Sequence, residues 1–259
     1  MIMFEISIDQ LYQWIGQYFW PFCRIAAFFT AMPVLSTQLV PTRIRLGLAV
    51  AVTIVVAPVL DPVPLIELLS MESFLIILQQ VLIGVAMGFV LQLLFQVFVV
   101  GGQIVAMQNG LGFATLVDPV NGVNVASIGQ LYLMTVNLLF FAFNGHLAVM
   151  YLIGSSFEHL PVGNVGLPVD NYLELARLAS WMFTGAILVA LPSIIALLVV
   201  NVSFGVISRV APQMNIIAVG FPFTMVLGLV IIWITLSNVL PQYERLSADA
   251  FDYLSEMVR

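Results

Sequence analysis

Very few side chains in this chain of 259 residues could carry out covalent or acid–base chemistry. The sequence contains one cysteine, Cys23, and two histidines, His146 and His159. A catalytic centre needs a nucleophile, a base and an orienting group within reach of one another. His146 lies between two apolar runs and His159 follows Glu158, and neither spacing matches a triad or a zinc site. We therefore expect hydrogen-bonding or capping histidines, no enzyme activity and no metal site.

The absence of lysine and the net negative charge argue against further classes of functional site. The sequence has no lysine, so it can neither build a Walker-type phosphate loop nor form a Schiff base. Its formal net charge of −6 argues against a nucleic-acid partner. Gly110 and Gly112 flank Leu111, but the third glycine and the preceding strand of a dinucleotide fingerprint are missing. We expect no cofactor.

The composition points to a membrane protein. Hydrophobic residues make up 62% of the chain and charged residues only 8%, whereas a soluble domain has roughly 45–50% and about 25%. About 18 apolar residues without charge already suggest a membrane helix. Six hydrophobic segments meet or approach this pattern: Leu11–Met32, Leu46–Leu60, Ser73–Val117, Pro119–Phe157, Leu178–Ser208 and Val210–Tyr243. The prediction is an all-α membrane protein in the lipid bilayer, with about six long apolar helices arranged as kinked helical hairpins.

Small and amide residues at helical spacing predict how these helices pack. Gly84 and Gly88 form a GxxxG pair, which lets a neighbouring backbone approach closely. Two rows of amides share a helix face by spacing: Gln92 and Gln96 with Gln103, and Gln130, Asn137 and Asn144. An amide placed in hydrocarbon without a partner costs several kcal/mol. These rows therefore either make interhelical hydrogen bonds or line a hydrated passage.

The segment Gln108–Gly122, called the gate loop below, is the most unusual loop of the sequence. It is rich in glycine and also apolar, although it connects two very apolar segments. Non-helical backbone at membrane depth persists only where it is buried in protein or lines a cavity. The gate loop is therefore either a buried connection or a loop that folds into a pore and obstructs it.

A secondary transporter is the alternative reading of an apolar multi-helix chain. Coupled transport usually places an ionisable residue inside a span. Only Asp118 and Arg209 interrupt the four longest apolar segments, and both lie beside glycine or proline turn residues. This distribution disfavours an autonomous carrier of small solutes.

Several motifs together resemble the FliR family of flagellar biosynthetic proteins. The gate loop with the preceding Gly102-Gln103 is similar to the central signature of that family, and Phe143-Asn144-Gly145-His146 matches a second motif. The C-terminal signature turn is matched by Arg209, Pro212, Gln213, Asn215, Gly220 and Pro222. The resemblance covers nearly the whole chain. Subunits of virulence injectisomes share the outline, but Gly220-Phe221-Pro222 after Asn215 is more similar to the flagellar branch.

The resemblance implies a structural, channel-forming subunit of the flagellar type III protein export gate. It implies assembly with FliP and FliQ in a conical channel, association with FlhB, and passage of unfolded flagellar export substrates. Residues 1–175 would be FliP-like, and residues 176–259 would form a FliQ-like helical hairpin with an acidic amphipathic tail. The expected location is the bacterial inner membrane, at the flagellar basal body. Many of the helices would lie within the assembly instead of each spanning lipid.

The resemblance also assigns a role to the gate loop. In the family this loop forms a plug, and the matching positions here are Gln108, Asn109, Gly110, Leu111, Gly112, Phe113, Asp118 and Pro119. We hypothesise that Leu111 and Phe113 help to close the channel, because a hydrophobic constriction excludes water and ions. Gly110 and Gly112 would permit the bend.

Overall fold

A computed structural model shows a chain built mainly from long α-helices. It describes residues 8–37, 40–63, 66, 70–111, 115–117, 124–163, 166–210 and 216–258. In chain order, the elements in these ranges are α1 (Ile8–Ala31), α2 (Thr42–Val56), α3 (Met71–Gln108), β1 (Thr115–Val117), β2 (Asn124–Ala126), α4 (Ser127–Ala142), α5 (Gly145–His159), α6 (Val169–Val210), α7 (Ile216–Thr235) and α8 (Val239–Val258). The predicted all-α fold class is confirmed.

Local sequence signals explain where the longest apolar helices begin and end. Ser70 caps α3, because its Oγ accepts a hydrogen bond from the backbone N–H of Ser73 at 3.1 Å. Glu72 in the first turn adds a favourable interaction with the helix dipole. The helix ends before Gly110, whose φ of 74° lies in the left-handed region that glycine adopts readily. By contrast, α6 continues through Pro192 without interruption.

The fourth apolar segment is two helices. It is interrupted at Phe143 and Asn144, between α4 and α5. Asn144 has a φ of 56°, a left-handed conformation that a right-handed helix cannot contain. Asn144 therefore does not lie on one helix face with Gln130 and Asn137, and the predicted row is corrected at this position.

The number of candidate membrane spans is smaller than the number of hydrophobic segments. Among the described residues, four helical stretches are long and apolar enough to cross a membrane: Thr42–Val59, Met71–Gln108, Val169–Val210 and Pro222–Val258. The broken pair α4–α5 is a fifth if it counts as one span. The first segment does not qualify, since α1 contains Asp9, Arg24 and three glutamines. Six segments therefore do not mean six spans.

The chain divides into two compact units that are each discontinuous in sequence. One unit consists of Met1–Gln92, Asn144–Arg177 and Ala250–Arg259, and the other of Leu93–Phe143 and Leu178–Asp249. We call them the first and second unit. Their boundaries differ from the division at residue 175, because α3, α6 and α8 each contribute to both units. The division into a FliP-like part and a FliQ-like part describes similarity to other proteins and not compact units of this fold. It stays a prediction.

Each unit has its own aromatic and aliphatic core. In the first unit, Trp20, Phe28 and Ile76 are fully buried. In the second unit, the ring of Phe95 packs edge-on against Phe140, with centroids 5.6 Å apart. The expected amphipathic tail is present as α8, whose buried residues include Leu246 and Leu254 while its acidic residues Glu244, Asp252 and Glu256 are exposed.

Candidate functional site

The gate loop leaves α3 through a tight turn. Gln108 is the last residue of the helix and is half-buried, as are Gly110 and Leu111. The N–H of Gly110 donates to the carbonyl of Met107 at 3.2 Å. Its left-handed backbone fits the bend that the sequence assigns to this glycine. Gly112, Phe113, Asp118 and Pro119 lie outside the described residues, so their predicted roles stay predictions.

Asn109 is almost completely buried at the start of the loop. Only 3% of its surface is exposed. Its side-chain amide contacts α7 at Gly228, and a Cβ added to Gly228 would overlap the amide oxygen. Within the described part of the chain, neither the oxygen nor the nitrogen of this amide has a hydrogen-bond partner.

Residues Thr115–Val117 of the gate loop pair with Asn124–Ala126, which follow the loop, in a short antiparallel ladder. Thr115 pairs with Ala126, and Val117 pairs with Asn124. The sequence predicts non-helical backbone in the gate loop but does not predict strands. Since Ala126 is followed directly by Ser127, the first residue of α4, the ladder brings the chain back to the start of the next helix.

The backbones of α3 and α4 touch near the base of the loop. A Cβ on Gly102 would lie 2.6 Å from the Cα of Gly129, and a Cβ on Gly129 would lie 2.9 Å from the carbonyl oxygen of Val99. A non-bonded carbon cannot pack this close to another carbon or to a carbonyl oxygen, so only glycine fits at either position. No role is predicted for Gly129 from the sequence. No small residue lies four positions away from it, so helical spacing does not mark it as a contact site.

The predicted GxxxG pair lies against α1. Gly84 faces Ala27 and Phe28, and a Cβ on Gly84 would lie 3.0 Å from the Cβ of Ala27. Gly88, one turn later, faces the carbonyl oxygen of Phe28, which would be 3.1 Å from an added Cβ. The two glycines thus remove side chains where α3 meets α1, as this motif does in membrane helices.

Arg24 is a buried cation beside this crossing, and its neighbours are polar but uncharged. Its side chain is only 1% exposed. Nε donates to Gln80 Oε1 at 2.8 Å, Nη1 to the carbonyl oxygen of Ser156 at 2.8 Å, and Nη2 to that of Leu160 at 2.6 Å. The guanidinium also lies over the ring of Phe157, 4.1 Å from its centroid. Because the two carbonyls belong to the end of α5, Arg24 caps that helix from α1.

The amide rows do not form continuous ladders between helices. Gln92 and Gln96 are half-buried on α3. Gln130 is buried, and its Oε1 has no hydrogen-bond partner among the described residues. Asn137 donates to the carbonyl of Leu133 in its own helix at 2.9 Å. Asn144 is exposed at the break between α4 and α5.

A polar cluster that the sequence analysis misses joins three helices of the second unit. Ser193 Oγ and Thr235 Oγ1 are 2.8 Å apart, and Thr235 Oγ1 also donates to the carbonyl of Ile231. The hydroxyl of Tyr132 hydrogen-bonds to both side chains. Tyr132 and Ser193 are buried, so α4, α6 and α7 share a satisfied hydroxyl network. This cluster supplies the interhelical polar contact that was predicted for the amides.

The C-terminal signature residues occupy different environments. Arg209 is exposed in the last turn of α6, where a cation is favoured by the helix dipole. Gly220 is buried in α7, and Pro222 is exposed inside the same helix. Pro212, Gln213 and Asn215 lie outside the described residues.

The comparison with known proteins decides the family. The model of the bacterial export proteins, family 1, matches residues 15–250. The chain belongs to this family. It is 35% identical over 256 residues to the flagellar biosynthetic protein FliR of Escherichia coli (strain K12), covering 99% of this chain and 98% of the relative. It is 26% identical over 223 residues to that of Bacillus subtilis (strain 168), covering 84% and 85%. The resemblance to the FliR family is thereby confirmed.

Family membership and fold together place this export protein. The chain is a multi-pass protein of the bacterial inner membrane at the flagellar export apparatus. Its helices leave much apolar surface uncovered. From Leu198 to Val210 in α6, no residue is buried in the chain itself, and eight of these thirteen residues are apolar. On α7, the exposed apolar residues include Phe223, Val226, Leu229 and Trp233.

Proposed function

We propose that this export-family chain is a structural, channel-forming subunit of the flagellar type III protein export gate. It assembles with FliP and FliQ, associates with FlhB, and lets unfolded flagellar proteins cross the inner membrane. It performs no catalytic step, so other components supply the energy. The flagellar export family to which the chain and its relatives belong fits this role.

The observation that carries this proposal is the length of uncovered apolar helix. The 42 residues of α6 extend over about 63 Å at roughly 1.5 Å per residue. The hydrocarbon core of a bilayer is only about 30 Å thick. Besides Val169, Tyr172 and Leu173 near its start, α6 exposes apolar residues from Phe183 to Val210, over about 40 Å. Lipid alone covers such a helix poorly, whereas neighbouring subunits can cover the part that lipid does not.

The gate loop supplies the closing element of the proposed channel. Its described residues leave α3 at a buried asparagine and a left-handed glycine. The contact of Gly102 with Gly129 holds α3 and α4 together beside the base of the loop. A loop that is fixed at its base and apolar along its length can block a narrow passage and exclude water. We assign this plug role to Gln108–Gly122.

Co-expression with FliP and FliQ tests the assembly directly. Val202 and Val206 lie one turn apart on the uncovered part of α6 and are both 58% exposed. We expect Val202→Asn/Val206→Asn to reduce co-purification with FliP and FliQ, because each amide must be desolvated when a partner helix covers it. Val169→Asn on the same helix is the matched control, since Val169 lies beside Asp170 and Asn171 at the polar start of α6.

The amount of each variant found in the membrane fraction shows whether a loss of co-purification reflects failed assembly or failed membrane insertion. Equal membrane amounts with less co-purified FliP and FliQ support the proposal. Undiminished co-purification of the double variant would contradict the assembly surface. The chain purified alone and reconstituted in vesicles distinguishes the carrier alternative: transport of small solutes without FliP and FliQ would contradict the gate function.

A further inference from the structure

The contact between Asn109 and Gly228 has an unusual geometry. Asn109 is the residue that follows α3, and its amide occupies the space in which any residue other than glycine would place a Cβ at position 228. The nearest atom of the amide to that space is Oδ1, followed by Cγ and Nδ2. All three amide heavy atoms therefore lie in the space beside the backbone of α7 at this position, and Gly228 is the notch that admits them.

The same contact leaves a strong hydrogen-bonding group unsatisfied. The amide of Asn109 can donate two hydrogen bonds and accept two. In the described part of the chain it makes none, although the residue is 97% buried. A buried amide without partners is penalised relative to one in water or beside a polar group. Packing holds this amide in place, and any movement that exposes it to water removes the penalty.

We propose that Asn109 is a positioning residue of the gate: its amide lies in the notch at Gly228 while the gate is closed and leaves the notch when the gate opens. This proposal rests on the proposed gate function and adds to it the pair of residues that fixes the loop. In the closed state the contact ties the end of α3 to α7. In the open state the amide of Asn109 becomes hydrated.

The surroundings of Asn109 confine such a movement to the start of the loop. The contact of Gly102 with Gly129 holds α3 against α4 about two turns earlier. The next residue, Gly110, has the left-handed backbone at which the chain changes direction. A small displacement at Asn109 is therefore transmitted into the loop and is not absorbed within α3.

A pair of substitutions tests whether the amide and the notch depend on each other. Gly228→Ala places a methyl group where the amide lies, and Asn109→Ala leaves the notch empty. Each variant alone should increase ion leak through the assembled gate, roughly tenfold if the open population rises tenfold. In the double variant the methyl group at 228 fills the space left by the amide, so the leak should fall below that of either single variant.

A matched glycine control separates this effect from a general cost of adding a methyl group. Gly154→Ala is the control, because nothing outside its own helix in the described part of the chain lies within 4 Å of a Cβ at that position, and Gly154 lies outside the proposed assembly surface. It should leave the leak unchanged. Single variants without increased leak, or a double variant in which the two effects simply multiply, would overturn the proposal. Compensation in the double variant supports it.

Paired cysteines test whether the contact must separate for export. Because a Cβ at 228 would lie among the side-chain atoms of Asn109, cysteines at both positions are close enough for a disulfide. The variant Asn109→Cys/Gly228→Cys is made in a Cys23→Ser background, which removes the only native cysteine. On oxidation in the assembled gate we expect the disulfide to form and secretion to fall roughly tenfold, with recovery on reduction.

The controls keep this result interpretable. Each single-cysteine variant in the same background should secrete equally under oxidising and reducing conditions. If no disulfide forms, or if the cross-linked gate secretes at the rate of the reduced gate, the proposal is overturned. A chain that fails to co-purify with FliP and FliQ would instead contradict the proposed function. An assembled gate in which only the cross-linking result fails would contradict the role of Asn109 alone.

Discussion

Gly102 of α3 and Gly129 of α4 bring two helix backbones into direct contact. The Cα of Gly129 would lie 2.6 Å from a Cβ at position 102, and the carbonyl oxygen of Ile128 would lie 2.9 Å from it. The two residues stand on either side of the gate loop in the sequence. Their contact therefore joins the end of α3 to the start of α4 beside the base of the loop.

Adding a methyl group at this crossing should force the two helices apart. We expect Gly102→Ala to lower the free energy of unfolding by about 1–3 kcal/mol, the usual cost of overpacking a well-packed site. Gly154→Ala is the control, because a Cβ there meets nothing within 4 Å. Thermal unfolding of both variants in detergent measures the difference. Equal midpoints for Gly102→Ala and the wild type would contradict the close contact.

Replacing Arg24 should weaken the first unit more than replacing an exposed arginine. Arg24→Met removes the guanidinium donors of the Leu160 carbonyl and of the Ser156 carbonyl, which keeps only the N–H of Leu160, and the loss is expected to be about 1–3 kcal/mol, the cost of an unsatisfied buried acceptor. Arg24→Lys should restore only part of it, because one ammonium group cannot reproduce the divergent donors of a guanidinium. Arg43→Met, at an exposed position of α2, is the control.

Limited proteolysis and thermal unfolding of the Arg24 variants give two independent measurements. We expect faster cleavage near the end of α5 in Arg24→Met, intermediate cleavage in Arg24→Lys, and unchanged cleavage in Arg43→Met. If Arg24→Met and Arg43→Met behave alike, the buried guanidinium does not stabilise the end of α5.

Two serines of α6 separate the effect of the hydroxyl network from that of a general polar residue. Ser193→Ala removes the partner of Thr235 and Tyr132, and we expect a loss of about 1–2 kcal/mol. Ser203→Ala is matched in chemistry and helix, but Ser203 is exposed, and its one hydrogen bond within the described ranges goes to the carbonyl of Val199 in the preceding turn. Chemical denaturation should therefore separate the two variants. Identical denaturation midpoints for Ser193→Ala and Ser203→Ala would show that the hydroxyl network does not stabilise the fold.

Tyr132→Phe tests the same network from α4. It removes a single hydroxyl and keeps the buried ring, so the loss should resemble that of Ser193→Ala. The double variant Ser193→Ala/Tyr132→Phe should lose less than the sum of both, because the two hydroxyls share one set of hydrogen bonds. Strict additivity in unfolding measurements would show that the two residues act independently.

The sequence predicts much of this fold because its strongest signal is local. Charge-free stretches identify long apolar helices, and α3 and α6 coincide with most of theirs, although α3 ends nine residues before its stretch does and α6 begins nine residues before its stretch. The GxxxG spacing of Gly84 and Gly88 predicts a close helix neighbour, and residues of α1 lie against both glycines. The sequence also contains a signal for the helix break at Asn144, because Asn-Gly is a typical turn dipeptide. Seven-residue amide spacing suggested a continuous helix there, and the left-handed backbone overrides it.

Contacts between distant parts of the chain could not be predicted in the same way. Arg24 binds residues that are 56, 132 and 136 positions away. Gly129 has no small residue four positions away that marks it as a contact site, and Ser193 resembles any other hydroxyl of an apolar helix. The buried roles of these residues depend on which helices become neighbours. The family resemblance locates the gate loop, whereas the notch for Asn109 is visible only in the folded chain.

The most direct test of whether this chain closes a channel is a deletion within the gate loop. The quantity to measure is ion leak through the assembled gate. The deletion takes out Gly110–Thr115, and FliP and FliQ are co-purified to verify that the gate still assembles. If the loop is the plug, vesicles or cells containing the shortened chain will conduct ions far faster than those containing the intact chain at equal gate abundance. Unchanged conductance in a fully assembled gate would show that the loop does not close it.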